Sequence, residues 1–293
     1  MKFLVTGASG LLGTRLCELA VQRKCEVYSA YSRHRPIQGT AVQFDVSDRA
    51  RVESTFEKIR PEVVVHAAAL TDVDKCELER EVAWRINVEG TENIVGSCRK
   101  YGAFLVYVST DYVFDGEKGM YEESDVAAPI NYYGFTKLKA EESVESLANN
   151  YCVARASVIF GSNPAMGKMN FVLWLVNKLR KKERVEIVTD QWNSPTLNNS
   201  LAEMILEAVE REITGTYHLA GATRIDRYSF SKLIAETFGL DASLITPTLS
   251  KRFSWVARRP RDSSLNASKA EQTFRNKPLK LETALLKMKE EMQ

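Results

Sequence analysis

The chain is poor in the residues that mark several protein classes. Its five cysteines, Cys17, Cys25, Cys76, Cys98 and Cys152, are odd in number and scattered, with no CxxC or metal-ligand spacing. That excludes a disulfide framework, and they read as reduced packing residues. The three histidines, His34, His66 and His218, are too dispersed to form a metal cluster by spacing. No apolar run approaches the ~20 residues that a bilayer span requires. The amino terminus enters a strand pattern directly, without a signal-peptide layout, so a cytoplasmic protein with no membrane partner is expected. An excess of one charge is missing as well. With 40 basic against 38 acidic residues there is no global field, and no nucleic-acid partner is expected.

What the chain does have is rhythm. KFLVT, EVYSAY, AVQF, EVVVHAA, AFLVYVS and YCVARAS read as strands, and 11–22, 48–59, 76–99 and 132–149 show helical spacing. Repeated βα units predict an α/β fold, a Rossmann-type doubly wound parallel sheet. After about residue 160 the alternation loosens into helical stretches near 168–180, 197–211, 228–238 and 280–291, with only VEIV and TYHLA as strand candidates. The expected division is a dinucleotide-binding domain over 1–160, to which some later segments return, and a smaller substrate-binding region over 161–293. The turn Gly161-Ser162-Asn163-Pro164 is the expected hinge.

The first strand runs into GASGLLG, which spaces Gly7, Gly10 and Gly13 as GxxGxxG before a helix opening at Leu11 and Leu12. Gly7 permits a tight turn, Gly10 lets a pyrophosphate approach the backbone, and Gly13 lets the helix press on the sheet. The free N–H groups at the helix start then face the phosphates. After the second strand, SAYSRHRP offers Ser32, Arg33 and Arg35 where a carboxylate would bind the ribose of NAD. A guanidinium there suits a 2′-phosphate, so NADP(H) is expected ahead of NAD(H); the bland alternative is a solvated loop. Asp45 and Val46 fall where the adenine edge would lie, and Ala67, Ala68 and Ala69 leave room for the cofactor to rest on the backbone.

In YVSTDYVFDGEKGMYEESDVAAPINYYGFTKLKAEE, Tyr133 and Lys137 stand four apart at a helix start, on one face. A lysine ammonium beside a phenol favours the phenolate, which predicts Tyr133 as the proton donor in carbonyl reduction, with Lys137 on the nicotinamide ribose. Thr110, ending the fifth strand, would hold the substrate oxygen. KRFSWVARRPRD interleaves Phe253 and Trp255 with arginines, a pattern that fits a diphosphate and a stacked base or, equally, a solvated basic loop. Gln191 and the Ser194-Pro195-Thr196 turn would position a cap or merely end a strand. Asp72, Asp74 and Glu77 are expected to complement a helix dipole, Asn87 to give structural support, and Trp174 to sit in a core or interface.

The glycine motif with the Thr, Tyr and Lys set resembles the extended short-chain dehydrogenase/reductases. HAAALTDVDKCE, STDYVFDG, PINYYGFTK, DQWNSPT and ARRPRDSSLNASK, spread over nearly the whole chain, are similar to the dTDP-4-dehydrorhamnose reductase family. The resemblance implies NAD(P)H-dependent reduction of the 4-keto group of a nucleotide-diphospho-sugar, dTDP-4-dehydro-L-rhamnose, to dTDP-L-rhamnose. It implies Tyr133 as proton donor, Thr110 and Asp111 on substrate, Tyr133 and Lys137 on cofactor, and Arg259 in RRPRDS on the diphosphate. The motifs also resemble the regulatory β subunit of methionine adenosyltransferase, which binds NADP, and an epimerase is a third alternative. A homodimer is compatible with each. One departure stands out: Val158 occupies the place where the reductase family often has a substrate-contacting tryptophan.

Overall fold

The computed structural model describes residues 1–163 and 169–292. Pro164, the end of the expected hinge, and Lys168, the expected start of a helix, lie outside the described residues. The first half runs β1 (Lys2–Thr6), α1 (Leu11–Gln22), β2 (Glu26–Tyr31), β3 (Thr40–Gln43), α2 (Arg49–Ile59), β4 (Val63–His66), α3 (Val73–Leu78), α4 (Arg80–Trp84), α5 (Gly90–Tyr101) and β5 (Phe104–Thr110). Then come α6 (Tyr132–Leu147), β6 (Tyr151–Ala156), β7 (Ile159–Phe160), α7 (Phe171–Arg180), β8 (Val185–Val188), β9 (Trp192–Asn193), β10 (Thr196–Leu197) and α8 (Asn198–Glu210). The chain ends through β11 (Gly215–His218), β12 (Ile225–Asp226), α9 (Arg227–Phe238), β13 (Ile245–Thr248), α10 (Ser268–Thr273) and α11 (Leu281–Glu291).

The central sheet has seven strands, all parallel, in the order β11-β6-β5-β4-β1-β2-β3. The chain winds outward one way from β1 and the other way from β4, so the order reverses between these two strands. Ligands of open α/β sheets bind at such a crevice, beyond the carboxyl ends of the strands. The strands are covered on both faces and therefore read as apolar runs rather than as alternation. Phe3, Val5, Val65 and Val106 pack under α1 and α8 with Leu16, Leu201 and Ile205. Leu4, Val64 and Leu105 pack on the other face with Val52, Phe56, Ile94 and Val144 from α2, α5 and α6.

A separate core joins α7, α9 and α11 to β8 through Val176, Ile187, Phe230, Ile234 and Leu285. The later segments nonetheless re-enter the sheet: β11 pairs in parallel with β6, and α8 lies against α1. The segment 76–99, expected as one helix, is broken. Glu79 leaves helical geometry at φ −118°, ψ 59°, and the stretch Arg85–Glu89 widens into a π turn. π turns displace side chains locally, and here Asn87 is buried, accepting the Leu70 N–H at 2.8 Å and donating to Thr136 Oγ1 at 3.0 Å. Among the described residues no helix is long and apolar enough to cross a membrane, and none of the five cysteines forms a disulfide.

Candidate active site

Two cavities lie along the crevice. The larger, about 930 Å³, is walled by the β1–α1 turn, the ends of β2 to β5 and the start of α6. Of the expected cofactor residues, Gly7, Gly10, Leu11, Leu12 and Gly13, Ser32 and Arg33, Asp45 and Val46, Ala67 to Ala69, and Tyr133 and Lys137 border it. Arg35 does not.

The glycine turn is built for close approach. Gly7 has φ +67°, and a Cβ there would stand 2.8 Å from the Ala68 nitrogen and 2.9 Å from the Ala67 carbonyl oxygen. A Cβ on Gly13 would come within 2.2 Å of the Gly7 carbonyl oxygen. Gly10 is the N-cap of α1 and gives no side-chain cap, whereas Asp48, Asn131, Asn170 and Asp226 cap α2, α6, α7 and α9. The α1 amino end therefore keeps free N–H groups and partial positive charge facing the cavity, which suits a dinucleotide pyrophosphate. Behind this wall, buried His66 holds Thr6 Oγ1 at 2.6 Å and Thr91 Oγ1 at 3.1 Å, and Thr6 in turn accepts the Ala68 N–H at 3.3 Å. His66 is thus a packed, hydrogen-bonded residue, with its pKa lowered to about 3 by burial.

Thr110, Tyr133 and Lys137 meet on one wall of this cavity. Asn131 caps α6 by accepting the Gly134 N–H at 2.8 Å, and Gly134 packs so tightly that a Cβ would stand 2.0 Å from the Tyr112 carbonyl oxygen. That contact fixes the first turn of α6, and with it Tyr133, against the segment after β5. The Thr110 hydroxyl lies near enough to the Tyr133 phenol to lower its pKa against the effect of burial. The same hydroxyl donates to Asp111 Oδ1 at 3.0 Å and accepts the Tyr112 N–H at 3.2 Å. The Asp111 carboxylate also takes the Ser157 and Ser263 hydroxyls at 2.9 and 2.5 Å. Burial raises the Asp111 pKa, and the three hydroxyl donors oppose that rise. Asp111 is only 3% exposed yet borders the cavity, where its carboxylate holds the Thr110 hydroxyl.

The electrostatics differ from the sequence expectation in one respect. Burial pushes the Tyr133 phenol up, with the Thr110 hydroxyl pulling the other way. Burial also lowers Lys137, to about 7, and its Nζ donates to the Val108 carbonyl at 2.8 Å. The reason is desolvation: in a water-poor cleft the charged form of each group is disfavoured more than one neighbour can repay.

The smaller cavity, about 460 Å³, is lined by Phe171, Trp174, Gln191, Phe253, Trp255 and Arg259 among others. Phe253 and Trp255 stack at 5.3 Å and 6°. Asp74 spans the gap to this loop, accepting the Ala257 N–H at 2.9 Å and Arg259 Nη1 at 3.0 Å. Glu77 likewise accepts the Tyr132 N–H at 3.0 Å. Of the three acids expected to serve the α3 dipole, Asp72 does cap the helix, while Asp74 and Glu77 tie α3 to other elements, because the fold sets backbone and cationic donors within their reach. Ser194 and Thr196 bond Leu265 and the Ser157 carbonyl, fastening the strands after β8 to the end of β6. Trp174 is stacked on Phe171 at 5.7 Å. Val158 lines the larger cavity with φ +41°, a left-handed value that a β-branched residue rarely takes.

Sequence reasoning passed over Tyr112 and Arg227. Both border the two cavities, and so does Met169. Arg227 follows an ordinary N-cap aspartate in RIDRYS, and no spacing sets it apart from a solvated arginine.

The whole chain, residues 1–293, matches the family described as the RmlD substrate binding domain. The chain belongs to this family. A solved relative, dTDP-4-dehydrorhamnose reductase from Bacillus anthracis in complex with NADP, superposes with a TM-score of 0.86 at 30% identity, covering 99% of each chain. Among curated relatives, the probable low-salt glycan biosynthesis reductase Agl14 of Haloferax volcanii is 32% identical over 92% of this chain and 91% of its own. The methionine adenosyltransferase 2 subunit beta of Xenopus tropicalis is 31% identical over 92% of this chain and 81% of its own. The relatives of this chain thus include proteins named as reductases and others named as a subunit.

Proposed function

We propose that this protein is an NAD(P)H-dependent reductase of a keto group on a nucleotide-diphospho-sugar, with the 4-keto group of dTDP-4-dehydro-L-rhamnose as its substrate. The observation that carries this reading is the convergence of Thr110, Tyr133 and Lys137 on the cavity that the glycine turn opens. A bound nicotinamide dinucleotide would supply the hydride. The glycine turn would bring its pyrophosphate against the N–H groups at the start of α1, and Ser32 with Arg33 would receive a 2′-phosphate. Tyr133 gives its proton to the ketone oxygen, which Thr110 aligns. A phenol held protonated by burial suits a donor better than a free phenolate would, since the proton must be present when the oxygen becomes basic. Lys137, already a donor to the Val108 carbonyl, stands ready to donate to the cofactor ribose.

The relative named as a methionine adenosyltransferase subunit keeps a regulatory reading in view. The intact Thr, Tyr and Lys set at a cavity of reactant size favours the enzyme. The test is NADPH oxidation with dTDP-4-dehydro-L-rhamnose and identification of the product. Stoichiometric NADPH loss with formation of the 4-hydroxy sugar supports the reading. Cofactor binding without turnover would transfer it to the regulatory role, and turnover without net oxidation would indicate an epimerase.

A further inference from the structure

The two cavities meet at a wall made by Tyr112, Met169 and Arg227. On one side lie Thr110 and Tyr133, on the other the stacked Phe253 and Trp255. A nucleotide sugar that placed its sugar at the first and its base at the second would carry its diphosphate past this wall. The diphosphate needs cations, and of the two arginines that line the smaller cavity one is already committed. Arg259, only 14% exposed, is paired with Asp74 at 3.0 Å, and Arg252 is paired with Glu186 at 2.9 Å.

Arg227 is different. Its guanidinium lies 4.9 Å from the centre of the Phe171 ring, which orients the plane without neutralising it. Among the described residues its guanidinium has no ion pair or hydrogen bond; only its backbone is engaged, the N–H donating to the Gln191 carbonyl at 3.0 Å and the carbonyl accepting the Ser231 hydroxyl at 2.8 Å. Burial disfavours its charge, and the fields of Tyr112 and Asp111 compensate in part. Asp111 itself already accepts three hydroxyl donors. A guanidinium stays protonated in proteins and presents a rigid fork of donors matched to phosphate. Half-buried and without a side-chain acceptor, this guanidinium is open to an anionic ligand at the junction, which would give it one.

We propose that Arg227 is the diphosphate grip of the substrate site, binding a nucleoside diphosphate at the junction so that the sugar turns toward Thr110 and Tyr133 and the base toward Phe253 and Trp255. This rests on the nucleotide-sugar reading above. Arg259 has the secondary task of holding the aromatic loop to α3 through Asp74. The grip explains how one chain can measure the length of its substrate: the two phosphates are the spacer between a ketone site and a base site.

The experiment is calorimetric titration of wild type and Arg227→Gln with dTDP, thymidine and NADP⁺. In the variant, dTDP affinity is expected to fall about 10- to 100-fold, the range for hydrogen bonds to a charged group, while thymidine and NADP⁺ binding hold within about two-fold. In turnover, KM for the sugar nucleotide rises more than kcat falls, because the contact is made in ground and transition states alike. Unchanged dTDP affinity in Arg227→Gln overturns the inference and leaves the reductase reading standing. Wild type that binds dTDP no better than thymidine overturns both. Should Arg227→Gln fail to fold, Arg227→Lys keeps the charge and loses the fork. A dTDP affinity at least about three-fold weaker in that variant supports the grip, and an unchanged one refutes it.

Discussion

Lys137 Nζ donates to the Val108 carbonyl at 2.8 Å while standing 4.1 Å from the centre of the Tyr107 ring. The lysine is therefore held by a neutral acceptor and an aromatic face rather than by a carboxylate. Burial lowers its pKa from 10.5 to about 7, against the smaller opposing influences of Glu141 and Cys76. Between those two values the unfolded chain binds more protons than the folded one, so stability rises with pH across that window. The cost is complete below about pH 7 and is relieved as pH climbs toward 10.5. Lys137→Met is expected to be more stable than wild type near pH 6, by on the order of a few kcal/mol, with the difference shrinking toward pH 10. Urea titrations across pH measure this, and a difference independent of pH would contradict it.

Tyr133→Phe removes the proton donor and nothing else of size. Loss of a positioned general acid lowers rates by about 10²- to 10⁴-fold, so kcat for the sugar nucleotide is expected to fall by that factor. NADPH affinity, followed by fluorescence, is expected to stay near wild type. A variant that turns over at full speed would remove Tyr133 from the chemistry.

Asn131 performs two tasks, accepting the Gly134 N–H at 2.8 Å and donating to the Arg258 carbonyl at 3.0 Å. Asn131→Ala is expected to lose about 0.5–2 kcal/mol for the cap alone. It should also raise KM, because the loop carrying Phe253 and Trp255 loses a tether. Thermal unfolding and steady-state kinetics on one preparation separate the two effects; a stability loss with KM unchanged would show that the tether is not used in binding.

Val158 carries a positive φ of +41° beside the reaction cavity. Left-handed backbone costs a side-chain-bearing residue roughly 1–2 kcal/mol, and glycine gives back roughly 0.5–1 kcal/mol in unfolded-state entropy. Val158→Gly is thus expected to be neutral to about 1 kcal/mol stabilising. A loss larger than about 1 kcal/mol in denaturant titration would mean that its packing outweighs the strain.

How much of the molecule could be read in its sequence varies with the range of the interactions. The first six strands of the sheet were legible because each is a short apolar run bounded by turn residues. Tyr133 and Lys137 were legible because one helical turn sets their relation. The seventh strand was not placed, since nothing in GTYH says that it lies beside β6; that follows from α8 packing on α1. The break after Leu78 was hidden as well, because the π turn at Asn87 is held by Leu70 and Thr136, which are remote in the chain.

By itself, then, the sequence determined the parts governed by local sterics: a glycine turn that no side chain could enter, strands with the period of a buried sheet, and a phenol and an amine on one helix face. Only the tertiary structure decided which charges are spent and which are free. Arg259 and Arg227 are indistinguishable as letters, yet Asp74 pairs with one, and among the described residues no carboxylate lies within ion-pairing distance of the other. Charge pairing depends on distances between segments far apart along the chain, and so do the buried pKa values, because desolvation is a property of the assembled cleft rather than of any residue in it.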